Sequence, residues 1–129
     1  MKAARLLERA ARNLRSAALL LADHDHSGAC NRVYYGVFDA TKAALLAFHT
    51  AGDVEGIKSH AGLIQKFGLH LVKTGKVSTE LGKILGRLEH ARMLADYADT
   101  DVGPEQAGEA IQQATQFIDA MRELVATAG

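Results

Sequence analysis

Residues that could do chemistry gather in two stretches of this chain. The first, CNRVYYGVFDATKAALLAF from Cys30 to Phe48, has the apolar spacing of a buried helix, yet it opens with Asn31, Arg32 and the pair Tyr34-Tyr35. The second, RLEHARMLADYADTD, places Arg92 four residues before Asp96, with Tyr97 following. Steps of three and four from Leu85 and Leu88 lead to Arg92 and then Asp96, so both continue an apolar stripe instead of the outer face. A guanidinium there needs a partner, because stripping the partner from a buried charge costs about 3–5 kcal/mol. Asp96, one helical turn away, can supply it. Two readings are open. One is a satisfied polar network that fixes helix register. The other is a site in which Arg92 is a planar fork for phosphate or carboxylate, Asp96 orients it, and Tyr34 or Tyr35 offers a ring for a base.

The elements that would position these residues are helices. A single proline and scarce β-branched runs predict an all-α domain over residues 1–129. The first helix is expected from about residue 3 to 23, with Leu6, Ala10, Leu14, Ala17, Ala18 and Leu21 inward. After DHDHSG, where Asp25 or Ser27 is the expected cap, a second helix covers roughly 28–51. Tyr34, Tyr35, Phe38, Leu45 and Phe48 form one of its stripes, and Val33, Val37, Ala40 and Ala44 another, so it should be central. A short helix follows at about 59–72. A fourth, capped by Ser78, spans about 79–98, and the last begins at Pro104, in the first turn where proline is favoured. The expectation is an antiparallel bundle of four long helices plus one short helix. In that topology the start of the second helix lies beside the end of the fourth, which brings Asn31, Tyr34 and Tyr35 toward Arg92 and Asp96.

Composition narrows the function. Fifteen basic and fifteen acidic residues cancel, so no overall field favours nucleic acid or an anionic membrane. The distribution is uneven: residues 1–22 carry Lys2, Arg5, Arg9, Arg12 and Arg15 against Glu8 alone, whereas acids dominate from Asp96 to Glu123. The two ends could attract each other, and a basic RNA-binding face is a second use for the first. One cysteine, Cys30, excludes an intrachain disulfide and fits a reducing compartment. No apolar run approaches the roughly 20 residues of a membrane span, and the Arg-rich amphipathic start reads as the first helix. A cytoplasmic location is expected, with no membrane contact.

Other polar residues have blander roles open to them. His60, in KSHAG, stands at the start of the short helix beside Lys58 and Ser59, where it could help bind an anion or simply cap the helix. The DHDH run at 23–26 points its side chains in different directions and lacks a second ligand set, so a solvated turn is expected and no metal. No Glu-x-x-His pair suits a di-iron bundle, and no glycine loop suits a nucleotide phosphate; no cofactor is expected.

Taken in order, NRVYYGVFDATKAALLA, KSHAGLIQKFGLHLVKTGKVSTELGKILGRL and ARMLADY resemble the HEPN family (higher eukaryotes and prokaryotes nucleotide-binding), in particular its small stand-alone prokaryotic members. The resemblance extends over roughly residues 5–125. It implies a helical bundle with four long helices and a short one, commonly a homodimer. It also implies partnership with a minimal nucleotidyltransferase in a toxin–antitoxin pair, and toxin members are metal-independent ribonucleases. The family signature is an arginine, four to six residues, then a histidine. Arg92 matches the arginine; positions 97–99 are Tyr97, Ala98 and Asp99, and no arginine of this chain has a histidine at that distance. The resemblance therefore implies a nucleotide- or RNA-binding interaction module. The alternative is a ribonuclease with a variant site, in which Asp96 and Tyr97 stand where the histidine would be and His60 supplies a proton. A third is a structural scaffold. Tyr97 is also the residue placed where some partner transferases modify a tyrosine.

Overall fold

Apolar residues recurring every three or four positions build five helices, seen in a computed structural model that describes residues 2–48, 54, 59–97 (position 97 by its backbone) and 102–128. They are α1 (Lys2–Ala22), α2 (His26–Ala47), α3 (His60–Phe67), α4 (Thr79–Tyr97) and α5 (Pro104–Thr127). The described residues contain no strand. No helix among them is long and apolar enough to cross a membrane. Residues 49–51 and 98, expected at the ends of the second and fourth helices, lie outside the described residues.

Helix α2 is the centre and packs against each of the other four. Twelve of its 22 residues are buried, which is why it shows no clean polar face. Its ends are set by local chemistry. Asp25 caps it, accepting a hydrogen bond on Oδ1 from the Gly28 amide at 2.9 Å. Just before, the α1 carbonyls of Leu20 and Leu21 accept from the amides of Asp25 and His24 at 2.9 and 3.0 Å, with His24 in the left-handed region at φ 63°. The DHDH run is thus spent on ending one helix and starting the next. Among the described residues no three His, Cys, Asp or Glu side chains gather in a way that could hold a metal ion.

Helix α1 runs antiparallel to α2 and meets it closely at Gly36. A Cβ there would lie 3.2 Å from the Ala10 carbonyl oxygen and 3.3 Å from Asn13 Cβ. The inner stripe of α1 is Leu7, Ala10, Leu14, Ala17 and Leu21. Ala18, expected inward, is exposed. The reason is helical phase: steps of four from Leu6 drift about 40° each, and only alternating threes and fours hold one face.

Helix α3 starts at the Ser59 cap, whose Oγ accepts from the Gly62 amide at 3.0 Å. It continues into a wider π turn over Gly68–Val72, closed by the Lys73 amide on the Gly68 carbonyl at 2.8 Å. Ser78 caps α4, accepting from the Leu81 amide at 3.3 Å. Ile84, Leu85 and Leu88 of α4 are buried, as are Ala107, Ala110, Ala114, Phe117, Ile118 and Met121 of α5.

Two buried polar residues have no counterpart in the sequence reading. Thr41 Oγ1 donates to the Val37 carbonyl at 2.8 Å, within its own helix. Asp39, 5% exposed, faces Arg9 at 3.5 Å and accepts from Asn13 Nδ2 at 3.4 Å. Burial pushes its carboxyl above the ordinary range, against the pull of Arg9 and Lys42.

Candidate functional site

Because α2 and α4 run antiparallel, the first turns of one meet the last turns of the other. Asn31 Nδ2 donates to Asp96 Oδ1 at 3.1 Å, and the other oxygen of that carboxylate, Oδ2, accepts from Arg92 Nη1 at 2.8 Å. Asp96 therefore joins the two helices and holds the guanidinium from one side. Arg92 is 13% exposed, and its Cζ stands 5.1 Å from the centroid of the Tyr34 ring, a cation–π distance. Asn31, Tyr34, Arg92 and Asp96 are thus one cluster.

The structure adds two members from elsewhere in the chain. His60, the first residue of α3, stacks on Tyr34 with ring centroids 4.9 Å apart at 26°, and lies 4.8 Å from the Phe38 ring. The Ser59 cap fixes the helix start at which His60 stands, and the packing of α3 against α2 turns the ring inward. Glu89, one turn before Arg92, reaches both: Oε2 is 3.8 Å from His60 Nδ1 and Oε1 is 3.7 Å from Arg92 Nη2. Glu89 went unnoticed in the sequence, though its spacing of three from Arg92 is the signal that could have found it.

Tyr35 lies at the edge of this arrangement. It is 41% exposed, against the expectation that it shares the Tyr34 stripe, and its ring meets those of Tyr34 and His60 edge-on, with centroids 6.1 and 6.3 Å away. Successive helical positions differ by about 100°, so neighbouring tyrosines cannot both point to the core. The Tyr97 side chain lies outside the described residues.

Hydrogen bonding inside the cluster is incomplete. Tyr34 Oη, His60 Nδ1, Glu89 Oε2 and Arg92 Nε are all buried without a hydrogen-bond partner among the described residues. Among the described residues only Nη1 of the guanidinium makes a hydrogen bond; the side-on edge, Nε with Nη2, is unfilled by them, with Glu89 just beyond hydrogen-bond distance. Burial raises the Tyr34 phenol far above its ordinary range; the Glu89 carboxylate, the acceptor nearest the hydroxyl though outside good hydrogen-bond geometry, raises it further, while Arg92 opposes. Tyr34 is accordingly a neutral donor. Burial works to lower Arg92, but the carboxylates of Glu89 and Asp96 outweigh it and its pKa rises. The group is a fixed cation. A cleft of 580 Å³ lies beside the cluster and not over it, between Cys30, Arg87, His90, Leu94 and Gln106.

This arrangement can present a planar donor edge to a phosphate or carboxylate, beside an imidazole and stacked rings. Comparison with known proteins agrees with the helical architecture. The chain is 35% identical over 118 residues to a UPF0332 protein of Thermotoga maritima, covering 91% of this chain and 86% of the relative. It is 32% identical over 118 residues to a protein of Methanocaldococcus jannaschii named "Putative toxin MJ0605", covering 92% and 84%. A UPF0332 protein of Gloeobacter violaceus is 31% identical over 123 residues, covering 94% of each. A family model, the HEPN domain, matches residues 3–124, and the chain belongs to the HEPN domain family.

Proposed function

We propose that this protein is a toxin-like HEPN module that binds nucleotide or RNA phosphate at Arg92 and works with a minimal nucleotidyltransferase as its partner. The observation that carries the reading is the unfilled Nε–Nη2 edge of Arg92, a fork that fits two phosphate oxygens. Asp96 holds the far side of the guanidinium, so the fork is oriented before a ligand arrives. An incoming phosphate takes the place of Glu89 against that edge. The toxin name of the archaeal relative supports a two-protein setting, as does membership of the family. A homodimer is part of the same reading.

A second reading has its own observation. His60 sits on the Tyr34 ring, within the Arg92 cluster, although it is 32 residues away in sequence from Arg92's place on α4. In metal-independent RNA cleavage it would carry the proton that the family signature assigns to a histidine after the arginine, with Arg92 holding the scissile phosphate.

The experiment measures binding and metal-free cleavage of a mixed single-stranded RNA by wild type, Arg92→Ala and His60→Ala, with circular dichroism as the check on folding. A folded Arg92→Ala protein that loses binding supports the module. Cleavage by wild type that both variants lose establishes the ribonuclease. An Arg92→Ala variant that is only less stable, with binding intact, leaves the polar cluster as scaffold and refutes both.

A further inference from the structure

The basic start of the chain finds no role in the Arg92 cluster, yet the fold places it on a path to that cluster. Lys2, Arg5, Arg9 and Arg12 fall within about 80° of one another on α1, given 100° per residue. The antiparallel pairing with α2 brings Lys42 to the same seam. Four cations, Lys2, Arg5, Arg9 and Lys42, line a 380 Å³ cleft with an apolar floor. Glu8 is the one acid of α1. Asp39, under the seam, is buried and faces Arg9, which itself remains 63% exposed.

Lys42 is the link. Its Nζ lies 4.9 Å from the Phe38 ring centroid, and that ring lies 4.8 Å from His60. Tyr35, seven residues before Lys42 and so on the same side of α2, is an exposed aromatic at the edge of the cluster. From Tyr34 to Lys42 the helix rises about 12 Å. Cations and an exposed ring thus lie on one side of α2, and the contacts from Lys42 through Phe38 to His60 lead from them to the phosphate fork. A backbone of regularly spaced negative charge carrying flat bases matches that order; a compact anion would need only one end of it.

We infer that the α1–α2 seam is the track for single-stranded RNA leading into the Arg92 cluster, with Arg5, Arg9 and Lys42 on phosphates and Tyr35 under a base. The inference rests on the phosphate-binding reading of Arg92 and extends it to the rest of the strand.

The test compares a long mixed-sequence single-stranded RNA with a dinucleotide, each titrated in fluorescence anisotropy at several salt concentrations. The variant is Arg5→Gln with Lys42→Gln, which leaves Arg9 to face Asp39. With about 0.7 counterions released per phosphate contact, losing two contacts weakens long-RNA binding about 25-fold at 0.1 M salt and flattens the log–log salt slope by about 1.4. The dinucleotide is expected to bind as before. Arg5→Lys with Lys42→Arg keeps the charges and should restore wild-type affinity. Tyr35→Ala should weaken the long RNA by at least about fivefold, the low end of a lost base–aromatic stack. Unchanged long-RNA affinity in the Gln variant, alongside a loss in Arg92→Ala, overturns the track and leaves the phosphate site standing. Wild-type protein that binds neither RNA overturns both. Displacement of the long RNA by poly-glutamate as readily as by unlabelled RNA overturns the track as an RNA surface and makes it one for acidic protein.

Discussion

Replacing Tyr34 by phenylalanine should make this protein more stable and, under the phosphate-binding reading, worse at its task. The ring stays, so its contacts with His60 and Arg92 are kept. Only the hydroxyl leaves, and among the described residues that hydroxyl is buried with no hydrogen bond of good geometry, Glu89 being its nearest acceptor. An unsatisfied buried polar group costs about 1–3 kcal/mol, and removing it returns most of that because the lost volume is one oxygen. The unfolding entropy of a chain of 129 residues is about 0.27 kcal/mol/K, at about 2.1 cal/mol/K per residue. Each kcal/mol then shifts Tm by about 4 °C, so a rise of about 4–10 °C is expected. Differential scanning calorimetry of the two proteins, with agreement between calorimetric and van't Hoff enthalpies as the two-state check, reads it directly. A fall in Tm refutes the reasoning. It would mean that the hydroxyl donates to Glu89, a bond to a charged acceptor worth about 1.5–3 kcal/mol, and that the cluster is a satisfied network.

Glu89→Gln removes the carboxylate nearest the open edge of Arg92 and should tighten RNA binding by roughly fivefold, about 1 kcal/mol; weaker binding would show that Glu89 positions the arginine instead. Asp39 contributes a pH dependence of definite sign. Its folded pKa is raised, so its contribution to stability is fully present below the unfolded pKa and is lost as pH rises through the folded value. The stability of wild type relative to Asp39→Asn should therefore fall from acid toward neutral pH in urea titrations, and a rise would show that Arg9 outweighs burial. Gly36→Ala should cost about 1 kcal/mol or more. The gain in helix propensity, about 1 kcal/mol, is outweighed by wedging α1 from α2 at the Ala10 carbonyl. Chemical denaturation decides that sign too.

Much of the bundle was legible because apolar period and caps are local signals. Asp25 and Ser78, both expected as caps, each mark a helix start, and the α4 and α5 stripes can be read off the chain residue by residue. The pairing of Asn31 with Asp96 followed from topology alone, since antiparallel neighbours must bring those ends together. What could not be read depends on tertiary direction. The residues 52–77 mark an excursion, but nothing local says that His60 will land on Tyr34 instead of on the surface. Glu89 looks like any solvated acid until the helix is seen to rotate it toward His60. Tyr35 was misplaced because a tyrosine pair suggests one role for two residues that the helix sends in different directions. Asp39 sits among apolar residues in sequence, and only the fold, which sets Arg9 and Asn13 of α1 beside it, explains its presence.

The cluster draws its members from three separated parts of the chain, and Asn31 and Asp96 are 65 residues apart. During synthesis the α2 share leaves the ribosome first, His60 next, and Glu89, Arg92 and Asp96 only when α4 emerges. The cluster therefore stays incomplete on a nascent chain until α4 has left the ribosome, and any binding that needs Arg92 waits for that helix.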